Sequence, residues 1–366
     1  MKRLNQLATT WLAAVCVFVA CSLVSSLAMA QAAAPDAATW QGARLGFVGR
    51  VVKDLDRSVA FYKMIGFTQD PLANPVWRTD PVVEGLYGVK GITTRMAKMY
   101  VVNPDSGQHF VVYLREVKGI KRTNRSQHTA WEPGATHFGL VVADADQVWE
   151  SLRAAGLLHA RSWGGKLIAP PGQTKGMLAY MTDPDGLDVE LINQRPATPA
   201  QNGRPAQPAL LPGVNHMGLI ILDAEKCKAF YSATLGGIWP KTDSPWIKGD
   251  FTDSAVGGHG NVLRFFNVSF PQEIAPTLHM NLELVEFQNR KTPVRPSRIT
   301  DVGVGYIGLQ VANLDKALPQ VLAAGATLVS KPGIVTMRSG TREVMVRDPD
   351  TGVFLELFDE PAQPSK

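Results

Sequence analysis

One eleven-residue phrase occurs four times in this chain, and no other feature restricts its fold so strongly. GFVGRVVKDLD spans 46–56, THFGLVVADAD 136–146, NHMGLIILDAE 215–225 and GYIGLQVANLD 305–315. Each copy places Gly fourth (Gly49, Gly139, Gly218, Gly308) and Asp or Asn ninth (Asp54, Asp144, Asp223, Asn313). An apolar, strand-like run that ends in an Asx residue reads as a β-strand leading into a helix N-cap. Self-similarity on this scale means a repeated supersecondary unit that buries its apolar face against its neighbours.

The phrases start at 46, 136, 215 and 305, which is 90, 79 and 90 residues apart, so copies one and three differ by 169, as do two and four. Finer detail keeps that rhythm. VAFY at 59–62 is echoed by KAFY at 228–231, and AAG at 154–156 by AAG at 323–325. DPD occurs at 183–185 and 348–350, only in the even copies. The chain is therefore a duplicated pair of modules. The Pro-rich stretch RPATPAQNGRPAQPALLPG at 195–213 separates the halves. The expected organisation is an N-terminal domain at 44–194 (modules 44–117 and 135–194), a linker at 195–212 and a C-terminal domain at 213–360 (modules 213–288 and 303–360). Residues 31–43 read as a flexible linker and 361–366 as a tail.

The N-terminus carries an export pattern. MKR precedes the apolar run WLAAVCVFVACSLVSSLAMA, which closes on Ala28-Met29-Ala30, so residues 1–30 read as a signal peptide cleaved before Gln31. An uncleaved anchor or lipidation at Cys21 are the alternatives, and FVAC is a poor lipobox. Cleavage would remove Cys16 and Cys21 and leave Cys227 alone, so the mature chain relies on its core and forms no internal disulfide. The expected location is the periplasm or the exterior, with membrane contact only through this segment. A net charge of +5 is too small to argue for nucleic acid as a partner. The densest basic run, REVKGIKRTNR at 115–125, reads as a solvated loop, with an anion- or membrane-facing patch as the alternative.

Copy two shows the order of elements best. HFGLVV is a strand and ADQVWESLRAAG an amphipathic helix stopped by Gly156; strands follow around GMLAYMTD and LDVELIN, joined by the turn DPDG. This βαβββ order, four times over, resembles the vicinal oxygen chelate superfamily of glyoxalases, extradiol dioxygenases and bleomycin-resistance proteins. The resemblance covers nearly all of 44–360. It implies an α+β fold in which four modules form two cup-shaped mixed sheets, within duplicated two-module halves. Since such a fold hosts several chemistries, function has to be argued from the site.

The resemblance further implies metal ligands at the start of each first strand and in each last strand. The first-strand position falls on Phe47, His137, His216 and Tyr306, and the last-strand position on Tyr113, Glu190, Glu283 and Glu356. The physics of the residues points the same way. A His leading an apolar strand, and a Glu set in LDVELI, LELVE or FLELF, are costly in a core unless paired or metal-bound. Imidazole with carboxylate suits a divalent Fe, Zn, Ni or Mn ion.

Which ligands meet depends on pairing. Consecutive modules would gather His216, Glu283, Tyr306 and Glu356 in one cup and leave His137 and Glu190 in the other. Pairing two with three would gather His137, Glu190, His216 and Glu283 and leave Phe47, Tyr113, Tyr306 and Glu356. The 169-residue duplication favours pairing within each half. His279, four residues before Glu283 and on the same strand face, is a candidate acid/base alongside Glu283 and Tyr306. His259, in VGGHGN, lies in a Gly-rich loop able to cover a cup, and Tyr180 packs or points at the N-terminal cup. GGHG and VGVG lack the spacing of a phosphate loop, which excludes nucleotide binding on that basis.

Three functions fit. The first is a glyoxalase-type lyase or isomerase in which a ligand carboxylate, Glu283 foremost, shuttles a proton. The second is an extradiol-type dioxygenase using Fe(II), against which Tyr306 stands in place of a second His. The third is a non-catalytic binding protein whose aromatic substitutions Phe47, Tyr113 and Tyr306 suit a stacking cavity for a flat ligand. The expected partner is a small molecule, with the chain a monomer or a homodimer.

Overall fold

The computed structural model describes residues 42–360 apart from 74, 103–108, 135, 166, 170–175, 198, 201–208, 210, 243 and 271–279. The segment read as an export signal, much of the inter-half linker, His279 and the C-terminal tail lie outside the described residues.

Each module repeats strand, helix, strands. Module one comprises β1 (Ala43–Val52), α1 (Leu55–Met64), β2 (Thr68–Gln69), α2 (Pro81–Tyr87), β3 (Thr93–Val102) and β4 (His109–Lys118). Module two has β5 (Thr136–Val142), α3 (Ala145–Ala154), β6 (His159–Ala160), β7 (Leu178–Thr182) and β8 (Asp188–Asn193). Module three has β9 (Gly213–Ile221), α4 (Ala224–Cys227), β10 (Ile247–Lys248), α5 (Asp250–Val256), β11 (Val262–Val268) and β12 (Asn281–Phe287). Module four has β13 (Gly305–Val311), α6 (Leu314–Ala323), β14 (Thr327–Leu328), β15 (Val335–Thr336), β16 (Arg342–Arg347) and β17 (Phe354–Asp359). The ninth residue of each phrase is the N-cap: Asp54 accepts from the Arg57 amide, Asp144 from Gln147, Asp223 from Glu225 and Lys226, and Asn313 from Lys316. Each cap stabilises its helix start by about 1 kcal/mol.

The modules pair across the halves. One sheet runs β10–β11–β12–β9–β5–β8–β7–β6, and the other β14–β16–β17–β13–β1–β4–β3–β2 with β15 beside β16. Modules two and three thus share one sheet, and one and four the other. At the centre of each sheet two first strands run antiparallel, β5 with β9 and β1 with β13, each flanked in parallel by the last strand of its own module.

Of the two pairings open from the sequence, this is the one across the halves and not the one that the duplication favoured, and the residues that carry the 169-residue rhythm show why. In the first half, Lys53 N and Ser58 Oγ donate to Asp185, both at 2.8 Å, and the Tyr62 hydroxyl donates to Asp183 at 3.1 Å. In the second half, the amides of Leu222 and Asp223 donate to Asp350 Oδ2 at 2.8 and 3.2 Å. The DPD turns of the even copies are therefore sockets for the strand–helix junctions of the odd copies. The duplicated detail docks one sheet on the other and builds neither cup.

Period-two alternation sorts the side chains. Phe138 and Leu140 of β5 join the core between sheets and helices, with Phe61 and Tyr62 of α1 and Trp149 of α3, while Val141 faces the concave side. Burial of each such large side chain contributes about 1.5–3 kcal/mol. The basic run at 115–125 is a solvated loop only in part: Lys121, Thr123 and Asn124 are exposed, but its arginines are engaged. Arg115 lies in β4 and is buried, Arg122 donates to Val52 O at 3.2 Å, and Arg125 to Pro296 O at 2.6 Å.

Candidate metal centre

Four side chains converge on the concave face of the two–three sheet: His137 from β5, Glu190 from β8, His216 from β9 and Glu283 from β12. Their residues are only 4%, 5%, 4% and 8% exposed. Polar groups at that depth need partners. His137 Nε2 lies 3.2 Å from Glu283 Oε2, and His216 Nε2 lies 3.2 Å from Glu190 Oε2 and 3.8 Å from Glu283 Oε2. The His216 Nε2 atom nevertheless has no hydrogen bond of adequate geometry among the described residues.

The rings fit because of the fourth residue of each phrase. The antiparallel register sets Gly218 opposite His137 and Gly139 opposite His216. A Cβ on Gly218 would lie 1.7 Å from His137 Cε1, and one on Gly139 2.2 Å from His216 Cε1. Each imidazole lies across the glycine of the partner strand. The other sheet repeats the device, since a Cβ on Gly49 would meet the Tyr306 ring at 1.9 Å and one on Gly308 the Phe47 ring at 2.4 Å. The sequence showed these glycines without their role; the available signal was a Gly recurring inside strands, where it is unfavourable without a close approach.

The electrostatics suit a cation. Burial opposes charge on His216, but the Glu283 and Glu190 carboxylates outweigh it and raise its pKa above the usual imidazole value. Burial likewise works against ionised Glu283, yet His216 and His137 hold its pKa below the usual carboxylate value. Two imidazoles, two carboxylates and an orphaned buried nitrogen match the donor set of a divalent transition metal. One donor atom each from His137, His216 and Glu283 lie within 4.8 Å of one another, which makes this trio a fit for such an ion, with Glu190 beside it. Tyr180 packs edge-on to His137 at 5.8 Å between ring centroids, and burial followed by the Glu190 charge keeps its phenol well above the usual range.

Beside the trio is a cavity of only about 30 Å³, bordered by His137, Tyr180, Glu283, Val256, Phe265 and Phe287 among others. That is room for about one water molecule.

The remaining predicted residues lie elsewhere. Tyr306 and Glu356, expected beside His216 and Glu283 if halves closed their own cups, belong to the one–four sheet with Phe47 and Tyr113. The Phe47 ring stands edge-on to Tyr113 at 4.8 Å and to Tyr306 at 6.2 Å. His259 packs against Trp163, with centroids 3.8 Å apart and the rings tilted by 56°, and does not border the small cavity.

Comparison with known proteins agrees with this architecture. A family model described as Glyoxalase/Bleomycin resistance protein/Dioxygenase superfamily matches residues 44–191 and 213–357. Among solved structures, glyoxalase I from Zea mays is similar at 21% identity and a TM-score of 0.51, covering 87% of this chain and 92% of that one. A mutant of the same maize enzyme gives 20%, 0.52, 87% and 92%. A putative dioxygenase from Bacillus subtilis subsp. subtilis str. 168 gives 12% and 0.47, covering 88% and 87%. At these identities the likeness to the maize enzyme is one of fold. None of the curated proteins compared with the chain matches it. Two matches that together span most of the sequence, on a four-module, two-sheet frame, establish that the chain belongs to the Glyoxalase/Bleomycin resistance protein/Dioxygenase superfamily.

Proposed function

We propose that this protein is an exported, metal-dependent lyase or isomerase of the glyoxalase kind, acting on a small molecule with two adjacent oxygens. The observation that carries the reading is the convergence of His137, His216, Glu283 and Glu190 in one buried cup. A bound divalent ion would supply Lewis-acid stabilisation of negative charge developing on a substrate oxygen. His137 and His216, seated on opposing glycines, hold fixed positions for it. Glu283 borders the cavity and Glu190 does not, while the other bordering carboxylate, Asp188, is committed to an ion pair with Arg161. Glu283 is therefore the carboxylate placed to take a proton from a carbon next to a carbonyl and return it to the neighbouring carbon. The apolar wall of Val256, Phe265 and Phe287 excludes water, and it must move outward to admit a substrate larger than the present cavity.

The test begins with elemental analysis of protein purified without chelators, where one Zn, Ni or Mn per chain is expected. Proton NMR in D₂O then follows exchange at the carbon beside the carbonyl in a panel of α-hydroxycarbonyl compounds. Glu283→Gln should slow exchange at least about 100-fold, within the range for a general base. No exchange with any member of the panel would count against proton-shuttle chemistry. Export rests on the N-terminal pattern alone; a periplasmic protein whose sequence begins at Gln31 would support it.

One observation favours a second reading. Pairing modules two and three brings both histidines into the site, so Tyr306 no longer stands in for one of them. Two His and one carboxylate form the triad used by Fe(II) oxygenases. Iron as the resident ion, together with oxygen uptake on adding catechols, would shift the assignment to a dioxygenase.

A further inference from the structure

A cavity far roomier than the one beside the candidate metal centre lies in the other sheet. It fills the cup of modules one and four, holds about 600 Å³ and is lined by Phe47, Tyr113, Arg115, Glu343, Glu356 and Phe358 with others. That volume is in the range of sites for small organic ligands, and about twenty times that of the other cup. We propose that this cup is a second, metal-independent binding site for a flat organic monocarboxylate, whose carboxylate is received by Arg115.

The walls are aromatic. Phe47 lies 5.5 Å from Phe358 at an interplanar angle of 30° and edge-on to Tyr113 at 4.8 Å, an arrangement that offers ring faces and edges to a planar guest. No His occupies the two first-strand positions, which are Phe47 and Tyr306. Arg115 is 9% exposed, has no ion pair among the described residues, and its Nε has no hydrogen-bond partner there. Its Nη2 donates to the soft acceptor Met96 Sδ at 3.3 Å, and its guanidinium carbon lies 5.4 Å over the Tyr87 ring centroid. A buried guanidinium keeps five donors and has to find acceptors for them.

Two carboxyls share the cavity with that cation, whose charge opposes the effect of burial on both. Burial pushes Glu343 up to about 7, and burial with the neighbouring Glu343 charge pushes Glu356 well above the usual carboxylate range. Near neutral pH Glu343 is therefore partly protonated, and a protonated carboxyl can donate to a bound carboxylate. Arg44 and Lys98 stand on the lining, Lys98 paired with Asp70 at 3.1 Å. Glu360 and His109 complete the titratable groups of the lining. An organic anion satisfies Arg115, while its flat body covers Phe47 and Phe358.

The test is isothermal titration of the full chain with benzoate, benzamide and benzylamine, before and after EDTA. One benzoate per chain is expected, with benzamide at least tenfold weaker and no binding of benzylamine. Arg115→Gln should weaken benzoate at least tenfold, and Met337→Trp, which puts an indole into the cavity from a lining position, should abolish binding even if the Arg115 variant does not fold. Binding should persist after EDTA and in His216→Ala. Absence of benzoate binding at millimolar concentration, preference for benzylamine, or loss of binding in His216→Ala would each overturn the proposal.

Discussion

Replacing Gly218 with alanine tests the metal centre with a single methyl group. Gly218 carries no positive φ, so its backbone accepts alanine without strain, and the effect is steric. The new Cβ would stand 1.7 Å from His137 Cε1, whereas ordinary contact begins at 3.4 Å, so the ring must retreat by about the difference, 1.7 Å. A metal–imidazole bond of about 2.0–2.1 Å tolerates about 0.2 Å. His137 is then lost as a ligand, and divalent affinity should fall by about 100-fold or more, equivalent to about 2.8 kcal/mol. The small adjoining cavity gives the ring somewhere to go, so the fold should survive. The assay is a Co(II) titration followed by absorbance, with thermal unfolding as the check on folding. Gly49→Ala is the control: its Cβ would meet the Tyr306 ring at 1.9 Å in the other cup, so it should destabilise the chain and leave Co(II) affinity unchanged. Co(II) binding by Gly218→Ala within about threefold of the parent, under about 0.7 kcal/mol, would refute the reasoning.

Three further outcomes are expected. His216→Ala should lose bound metal while Glu356→Ala keeps a full complement, because Glu356 lies in the other sheet; elemental analysis of both decides it. Tyr62→Phe removes the hydroxyl that donates to Asp183 at 3.1 Å and leaves a buried acceptor short of a partner, costing about 1–3 kcal/mol in urea denaturation. An unchanged midpoint would argue against the socket role of the DPD turn. Burial raises the Glu343 carboxyl from 4.5 to about 7, so the folded chain binds this proton more tightly than the unfolded one. Its contribution is complete below about pH 4.5 and is lost as pH rises towards 7, by at most about 3 kcal/mol. Glu343→Gln should therefore melt higher than the parent at pH 8 and match it near pH 4.5, a crossover that differential scanning fluorimetry would show or exclude.

Much of the fold was legible because its signals are local and repeated. Four apolar runs ending in Asx residues marked four strands and four capped helices, for hydrogen-bonding reasons that act within a few residues. The candidate ligands were legible as types, since His137, Glu190, His216 and Glu283 are costly in apolar strands without partners. Their grouping was not. The 169-residue rhythm pointed to pairing within halves, and it proved to encode the contacts of Ser58, Lys53 and Tyr62 with the DPD turn, which dock sheet on sheet.

Three things were decided only by the tertiary structure. Antiparallel pairing of β5 with β9 put two imidazoles and two carboxylates in one cup and left Tyr306 and Glu356 in the other. The same register gave the repeated glycines their purpose, because whether a Cβ collides depends on which ring the facing strand presents. Arg115 read as part of a solvated basic run, and it became the buried floor of a large cavity once β4 took its place beside β1. Sequence determines chemistry and local geometry residue by residue. Which distant residues share a wall is set by long-range strand pairing, whose free energy is spread over two whole sheets and concentrated in no motif.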